Sequence, residues 1–469
     1  MFLRYFYDEK LAHASYLVGC QKTGEAIVVD PSRDIEQYVE EAEKEGLNVT
    51  AACETHIHAD FVSGARELAD RFDAKLYLSD EGNEDWKYEN LDGIRYQLLK
   101  DGDTFKIGNL TFEVLHTPGH TPESISFLLT DNGGGADRPM GIFTGDFVFV
   151  GDVGRPDLLE KAAGHVGTAD EGAKQMFQSL ERFKQLPDFL QVWPAHGAGS
   201  ACGKSLGAVP SSTVGYEKMF NWALQYDNEN EFVEALLDGQ PEPPKYFAVM
   251  KRVNKVGIEL LKNLDLPVKE TDSAKLQNWI KEGMVIDTRS VEQFAKGHVP
   301  GTINIPFDQS FTNWAGWLVD YEAPLYLIVD ESQMRDAIKA LRSIGIDNTR
   351  GYMEVKTALD SVDELERYAE VEPKEIKEQI EKGEVYVLDV RNLTEFKEGH
   401  IPGASHIMLG TLPERLNEVP QDKQIVLNCG TGKRSAIGAS VLQANGIKDI
   451  VNLVGGFERW VDETQIVTK

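Results

Sequence analysis

The heptapeptide Thr55–Phe61, THIHADF, places His56, His58 and Asp60 at alternate positions. In an extended segment alternate side chains share a face, so these three are expected to converge on one point. Imidazole nitrogen and carboxylate oxygen both bind divalent transition metals. Three later turns could complete a cage: His120 in TPGHTPES, Asp146 in FTGD and His196 in PAHG. A lone histidine is more often a capped or surface residue, but here four separate motifs agree. The position after Asp60 holds Phe61, which has no lone pair to donate.

A second constellation lies near the end of the chain. Cys429 opens the segment CGTGKRS, directly after the apolar run QIVLN and before the helical stretch SAIGASVLQANG. The amides of Gly430, Thr431, Gly432 and Lys433, curled at a helix N-terminus, would stabilise an anion. They should favour a thiolate and cradle the outer sulfur of a persulfide. Gly430 and Gly432 permit the tight curl, and Arg434 adds positive charge. A lone cysteine is usually an inert core residue, but this surrounding loop points to a nucleophile.

These groups need elements to hold them. The runs EAIVVD, DIEQYVEEAEKEG and NVTAACET alternate strand, helix and strand, an α/β rhythm. LTFEVLHTPGH, MGIFTGD and DFLQVWPAHG each end in a small-residue turn carrying His120, Asp146 or His196, which puts the chemistry at strand ends on one rim. TDNGGGADRP reads as the link of a hairpin. Prolines cluster in DGQPEPPKYFAVMKR and mark a linker, so the first domain spans 1–265. Beyond it the chain repeats itself: DTRSVEQFAKGHVPGTINIP answers DVRNLTEFKEGHIPGASHIM. Two copies of a small α/β domain are expected, 269–370 and 371–469. In the first, Asp330 replaces Cys429, while Glu331 and Gln333 replace Gly430 and Gly432, so this copy has lost its nucleophile and is left with packing or channel duties.

Length and composition agree with this division. A chain of 469 residues suggests about three domains at roughly 100–200 residues each. A net charge of -29 would repel phosphate backbones and anionic lipid, so nucleic-acid and membrane partners are not expected. No stretch has the length and apolar content of a membrane span, and no signal peptide is legible. The four cysteines are far apart with no CxxC pair, which fits a reducing cytoplasm. Cys20 and Cys53 lie in apolar strands and read as core. Cys202 follows His196 across a glycine-rich stretch and is expected near the mouth of the metal pocket, where it could relay sulfur. His13, His116 and His165 carry no partner pattern. His298 and His400 belong to the repeated Gly-His-x-Pro-Gly loops and read as loop-stabilising.

The order of the metal motifs over Met1–Asp265 resembles the metallo-β-lactamase superfamily, and GDFVFVGDVGRPD (Gly145–Asp157) resembles its persulfide dioxygenase branch. DVRNLTEFKEGHIPGA, the cysteine loop and GGFERW together resemble the rhodanese sulfurtransferases. The fold implied is an α/β multidomain chain, an αββα sandwich followed by two rhodanese domains, the first inactive. In the superfamily a second metal is held when histidine follows the aspartate, so Phe61 favours one ion with His56, His120 and Asp146 as ligands. Two histidines and a carboxylate with open positions opposite suit Fe(II), at one per chain. The resemblance makes His58, Asp60 and His196 outer residues, gives Arg155 to the persulfide substrate, and makes Cys429 the sulfur carrier. The expected substrates are O₂ and a small persulfide of glutathione, coenzyme A or a similar thiol, with sulfite and thiosulfate as products and a homo-oligomer as the assembly. A zinc thioester hydrolase of the glyoxalase II type and a non-catalytic sulfur carrier or sensor stay open as alternatives.

Overall fold

The apolar runs pair into four sheets in the computed structural model, which describes residues 1–158, 160, 168–204 and 206–468; His165 lies outside the described residues. Six strands form the first sheet in chain order: β1 Phe2–Asp8, β2 His13–Cys20, β3 Glu25–Val29, β4 Asn48–Cys53, β5 Lys75–Ser79 and β6 Tyr96–Leu99. Six more form the second, also in chain order: β7 Thr104–Ile107, β8 Leu110–His116, β9 Ile125–Asp131, β10 Gly141–Gly145, β11 Gln191–Pro194 and β12 Ser212–Thr213. β9 and β10 pair antiparallel, so TDNGGGADRP is the hairpin link expected.

Both sheets are buried on both faces, and three apolar layers result. Between the sheets pack Tyr16, Ile27, Cys53, Phe112, Phe127, Phe143 and Trp193. Cys20 belongs to this layer too, so both early cysteines are core residues. The helices Glu36–Lys44 and Ala65–Phe72 cover the outside of the first sheet through Tyr38, Ala42 and Leu68. The helices Thr168–Phe183 and Glu229–Leu237 cover the second through Met176, Leu180 and Phe232. This is the αββα sandwich, and each fully buried phenylalanine stabilises it by about 2–3 kcal/mol relative to exposure.

The repeated halves fold alike. In the first copy β13 Val268–Glu270, β14 Met284–Asp287, β15 Ile303–Asn304, β16 Leu325–Ile328 and β17 Thr349–Met353 line up as β13-β17-β16-β14-β15. In the second, β18 Ala369–Val371, β19 Tyr386–Asp389, β20 Ser405–His406, β21 Ile425–Asn428 and β22 Ile450–Leu453 give the corresponding order β18-β22-β21-β19-β20. All pairings are parallel. The repeated Asp-x-Arg is a bidentate pair in both, Arg289 on Asp287 and Arg391 on Asp389. His298 and His400 stack on Phe294 and Phe396 and face those residues' carbonyls at 2.9 and 3.0 Å, which is the loop-stabilising role expected. The copies meet where the Asn304 amide donates to Ser440 at 2.9 Å.

The chain divides into two units, Met1–Leu264 with Arg342–Gly345, and Asp265–Leu341 with Ile346–Lys469. Among the described residues no helix is long and apolar enough to cross a membrane. The proline-rich stretch read as a linker runs into a helix, Tyr246–Val256, whose Phe247 and Met250 are buried.

Candidate functional site

Four strand ends build the first site. β4 delivers Glu54–Asp60, the turn after β8 carries His120, β10 ends at Asp146, and β11 leads to His196. Hydrogen bonds tie these turns together: the Ala195 amide donates to Gly145, and the Ile125 amide to Thr55. Gly145 has φ +53 and an added Cβ would collide with the Thr55 side chain, so this bend, which aims Asp146 inward, requires glycine.

His56, His58 and Asp60 do not converge on one point. The chain leaves the sheet after Cys53 and runs through bends, so a two-residue period no longer governs where side chains go. The three residues join three different buried groups: His56 with His120 and Asp146, Asp60 with His196 and Cys202, and His58 with Asp30 and Glu54. In the first group Asp146 Oδ2 lies 3.8 Å from His56 Nε2 and 3.4 Å from His120 Nε2.

Hydrogen bonding fixes which nitrogens can bind a metal. The His120 Nδ1 sits 2.9 Å from the Arg155 carbonyl, which can only accept, so Nδ1 carries the proton and Nε2 the lone pair. Thr55 donates its hydroxyl to Asp30 and therefore accepts from His56 Nδ1 at 3.0 Å, which leaves His56 Nε2 a free donor as well. Burial, with the neighbouring imidazoles His58 and His120, pushes the His56 pKa down; burial does the same to His120. His56 Nε2 and both Asp146 oxygens are buried without a hydrogen-bond partner. Two neutral imidazoles and a carboxylate with unspent lone pairs fit a divalent transition metal.

The other two imidazoles are occupied. Burial opposes charge on His58, but Asp30 at 3.2 Å and Glu54 at 3.0 Å override it and raise its pKa. Burial likewise opposes charge on His196, but Asp146 and Asp60 override it and raise its pKa, its Nε2 lying 3.0 Å from Asp60 Oδ2 and 3.4 Å from Asp146 Oδ1. Its Nδ1 faces the Ala12 carbonyl at 2.9 Å. Cys202 is buried within this group rather than at a pocket mouth. Phe61 packs its ring 3.8 Å from that of His13, where the sequence offered no role for either.

Arg155 is fully buried, forked onto Asp157 through Nε and Nη2 at 2.7 Å, and its Nη1 has no hydrogen-bond partner among the described residues. Asn254 is a site residue that motif reading missed. From the helix Tyr246–Val256 its amide nitrogen donates to the His58 and Phe61 carbonyls at 2.8 and 2.7 Å, and its oxygen accepts from the Ser63 amide at 2.9 Å. Asn254→Ala strands these buried groups and is expected to lower stability by about 2–3 kcal/mol, read as a lower denaturant midpoint of the metal-free protein.

Of the loop amides expected around the thiol, that of Gly432 reaches it. Cys429 follows β21 and is fully buried; the Gly432 amide donates to its Sγ at 3.1 Å and the Ser435 hydroxyl at 3.4 Å. Arg434 is forked onto Glu395 at 2.6 and 2.7 Å, so its charge is already paired. The GGFERW segment closes the loop from behind: the Phe457 amide donates to the Cys429 carbonyl and the Glu458 amide to that of Gly430. Gly456, at φ +58, lies so close to the Cys429 and Gly430 carbonyls that no side chain fits. In the first copy Ile328 pairs with Asp287 as Asn428 pairs with Asp389, so the buried Val329, and not Asp330 as the aligned sequences suggest, stands where the thiol would be, and Asp330 takes the place of Gly430.

Known proteins align with this geometry. Residues 9–196 match the metallo-beta-lactamase superfamily, and residues 272–356 and 372–463 match the rhodanese-like domain. A solved metallo-beta-lactamase from Staphylococcus aureus is 47% identical with a TM-score of 0.68, covering 76% of this chain and 99% of its own. The mitochondrial persulfide dioxygenase of Bos taurus is 27% identical over 239 residues, 50% of this chain and 80% of that protein. A hydroxyacylglutathione hydrolase of Synechococcus is 33% identical over 184 residues, 39% of this chain and 62% of that protein. With four metal-type motifs on one rim of an αββα sandwich and a duplicated parallel domain following it in the chain, the protein belongs to the metallo-beta-lactamase superfamily and is a fusion of that domain to two rhodanese-like domains.

Proposed function

We propose that the protein is a persulfide dioxygenase coupled to a sulfurtransferase. The observation that carries this reading is the pairing, in one chain, of the buried His56–His120–Asp146 group with the Cys429 loop. The likeness to the bovine persulfide dioxygenase supports it. Fe(II) bound by His56, His120 and Asp146, one per chain, supplies the redox chemistry through which O₂ oxidises the outer sulfur of a thiol persulfide.

The surrounding residues have separate tasks. Thr55 and the Arg155 carbonyl hold the two imidazoles in the tautomer that points Nε2 inward. The Asp30–Glu54–His58 and Asp60–His196 pairs brace the loop, and Nη1 of Arg155 is the donor assigned to the substrate. The overall step balances as persulfide, O₂ and water giving thiol, sulfite and two protons. In the second half the Cys429 thiolate takes the outer sulfur of a second molecule of the thiol persulfide, whose S–S bond breaks to release the thiol, and the sulfur lone pair of sulfite then attacks the outer sulfur of the Cys429 persulfide so formed. The S–S bond breaks, its electron pair returns to Cys429 Sγ, and thiosulfate leaves. The Gly432 amide and Ser435 hydroxyl face the sulfur that takes up this charge. Covalent fusion raises the effective concentration of the intermediate at its acceptor. Cys429 must return to a free thiol each cycle, which suits a reducing cytoplasm.

One observation favours a second reading. Asp146 also borders the Asp60–His196–Cys202 group, so a thioester hydrolase holding two ions could use the same pocket, and one relative is named a hydroxyacylglutathione hydrolase. Protein purified without oxygen should contain one iron per chain and consume O₂ with glutathione or coenzyme A persulfide. Two zinc ions in active protein, with hydrolysis of a glutathione thioester and no O₂ uptake, would establish the hydrolase instead.

A further inference from the structure

A cavity of about 430 Å³ reaches His120 in the first unit, with Pro118, Pro122 and Pro156 as apolar wall and Gln175 as a neutral polar group. Lys251 lines it, with Nζ 3.6 Å from the centre of the Trp86 ring, which lines it too. The ammonium group is half-buried, and among the described residues it has neither an ion-pair partner nor a hydrogen bond. Other partly buried lysines in this unit are paired: Lys87 with Asp80, Lys184 with Glu181, Lys218 with Asp188, and Lys255, one turn along the same helix, with Glu89. Burial lowers the Lys251 pKa against the fields of Glu123 and Asp85, as expected of a cation that has given up water without gaining a salt bridge.

The helix that carries Lys251 is anchored to the metal loop. Asn254 lies three residues on, on the same helix face, and it is the side chain that clasps the His58 and Phe61 carbonyls of that loop. Asp85 and Glu171 also face the cavity, so an anionic ligand is turned away from them and toward Lys251, the one ammonium among the described residues that line it. Arg155 cannot serve this purpose with its full charge, because Asp157 already holds it.

We propose that Lys251, seated on Trp86, is the specificity residue that selects thiol carriers bearing a carboxylate or phosphate group and leaves their sulfur toward His120. As a statement about turnover this rests on the persulfide reading above; as a statement about binding it does not. The test uses full-length protein with glutathione (carboxylates), coenzyme A (phosphates) and neutral N-acetylcysteamine as probes. By titration calorimetry K251Q should weaken the charged thiols by about tenfold or more and leave the neutral one unchanged, with K251R restoring the difference. Affinity of the unmutated protein for the charged thiols alone should fall as ionic strength rises, a measurement that needs no variant. With persulfides of the same thiols, K251Q should raise KM for the charged carriers and spare kcat. Equal effects on charged and neutral thiols, or none, would overturn the assignment. Failure of the unmutated protein to take up O₂ with any persulfide would overturn the proposed reaction while leaving the calorimetric result standing. Loss for only one of glutathione and coenzyme A identifies which anion the lysine reads.

Discussion

His120→Ala should empty the metal centre and abolish O₂ uptake. The His120 Nε2 is one of three buried donors around a common point, and its other nitrogen donates to the Arg155 carbonyl, a hydrogen bond that alanine also removes. Alanine leaves one imidazole and one carboxylate, too few to hold a divalent ion against water. His58→Gln is the discriminating comparison. The Nε2 of His58 is held by Asp30 and Glu54, in a group separate from His56, His120 and Asp146, so its loss should cost only the roughly 10- to 100-fold typical of an outer partner. Iron content by elemental analysis and O₂ consumption should therefore separate the two variants. If His58→Gln loses iron as completely as His120→Ala, the centre is a three-imidazole site and the assignment of His56, His120 and Asp146 is wrong.

That comparison turns on a residue whose type was legible in the sequence and whose partner was not. The strand-end positions of His120, Asp146 and His196 could be read because each follows an apolar run and sits beside glycine or proline, so pattern and turn chemistry point the same way. THIHADF misled because alternation guides side chains only while the chain stays in a sheet, and here it leaves the sheet before His56. Asp30 and Glu54 carry no motif; they matter because β3 and β4 are adjacent parallel strands whose ends lie side by side. Asn254 and Lys251 were hidden by distance along the chain. Their helix follows a cluster of prolines that resembles a linker, and only tertiary packing returns it to the metal loop. The duplicated domain was far more legible, since a repeat aligns one copy on the other and exposes the loss of the cysteine without any knowledge of packing; only the register was off by one, because strand pairing puts Val329 rather than Asp330 in the place of Cys429.

In the Cys429→Ser protein, O₂ uptake should continue near the normal rate while initial-rate thiosulfate falls by roughly a hundredfold and sulfite accumulates. A serine hydroxyl cannot form the sulfane-sulfur adduct that a thiolate forms, and the loop offers no substitute. Cys429 is held between the Gly432 amide and the Ser435 hydroxyl, and the carbonyls of Cys429 and Gly430 are pinned by Phe457 and Glu458, so neighbouring groups cannot move into its place. The other three cysteines belong to the first unit, and all are buried. Serine is close in size and keeps the hydrogen bonds of the loop, so a fall in thiosulfate reports lost sulfur transfer rather than lost folding; an unchanged melting profile checks this. The substitution lies outside the metal-binding unit and removes none of its donors, which is why oxygen consumption is the internal control. Thiosulfate formed at the unmutated rate would mean that sulfite meets its sulfur donor elsewhere, and the coupling proposed between the two chemistries would fall.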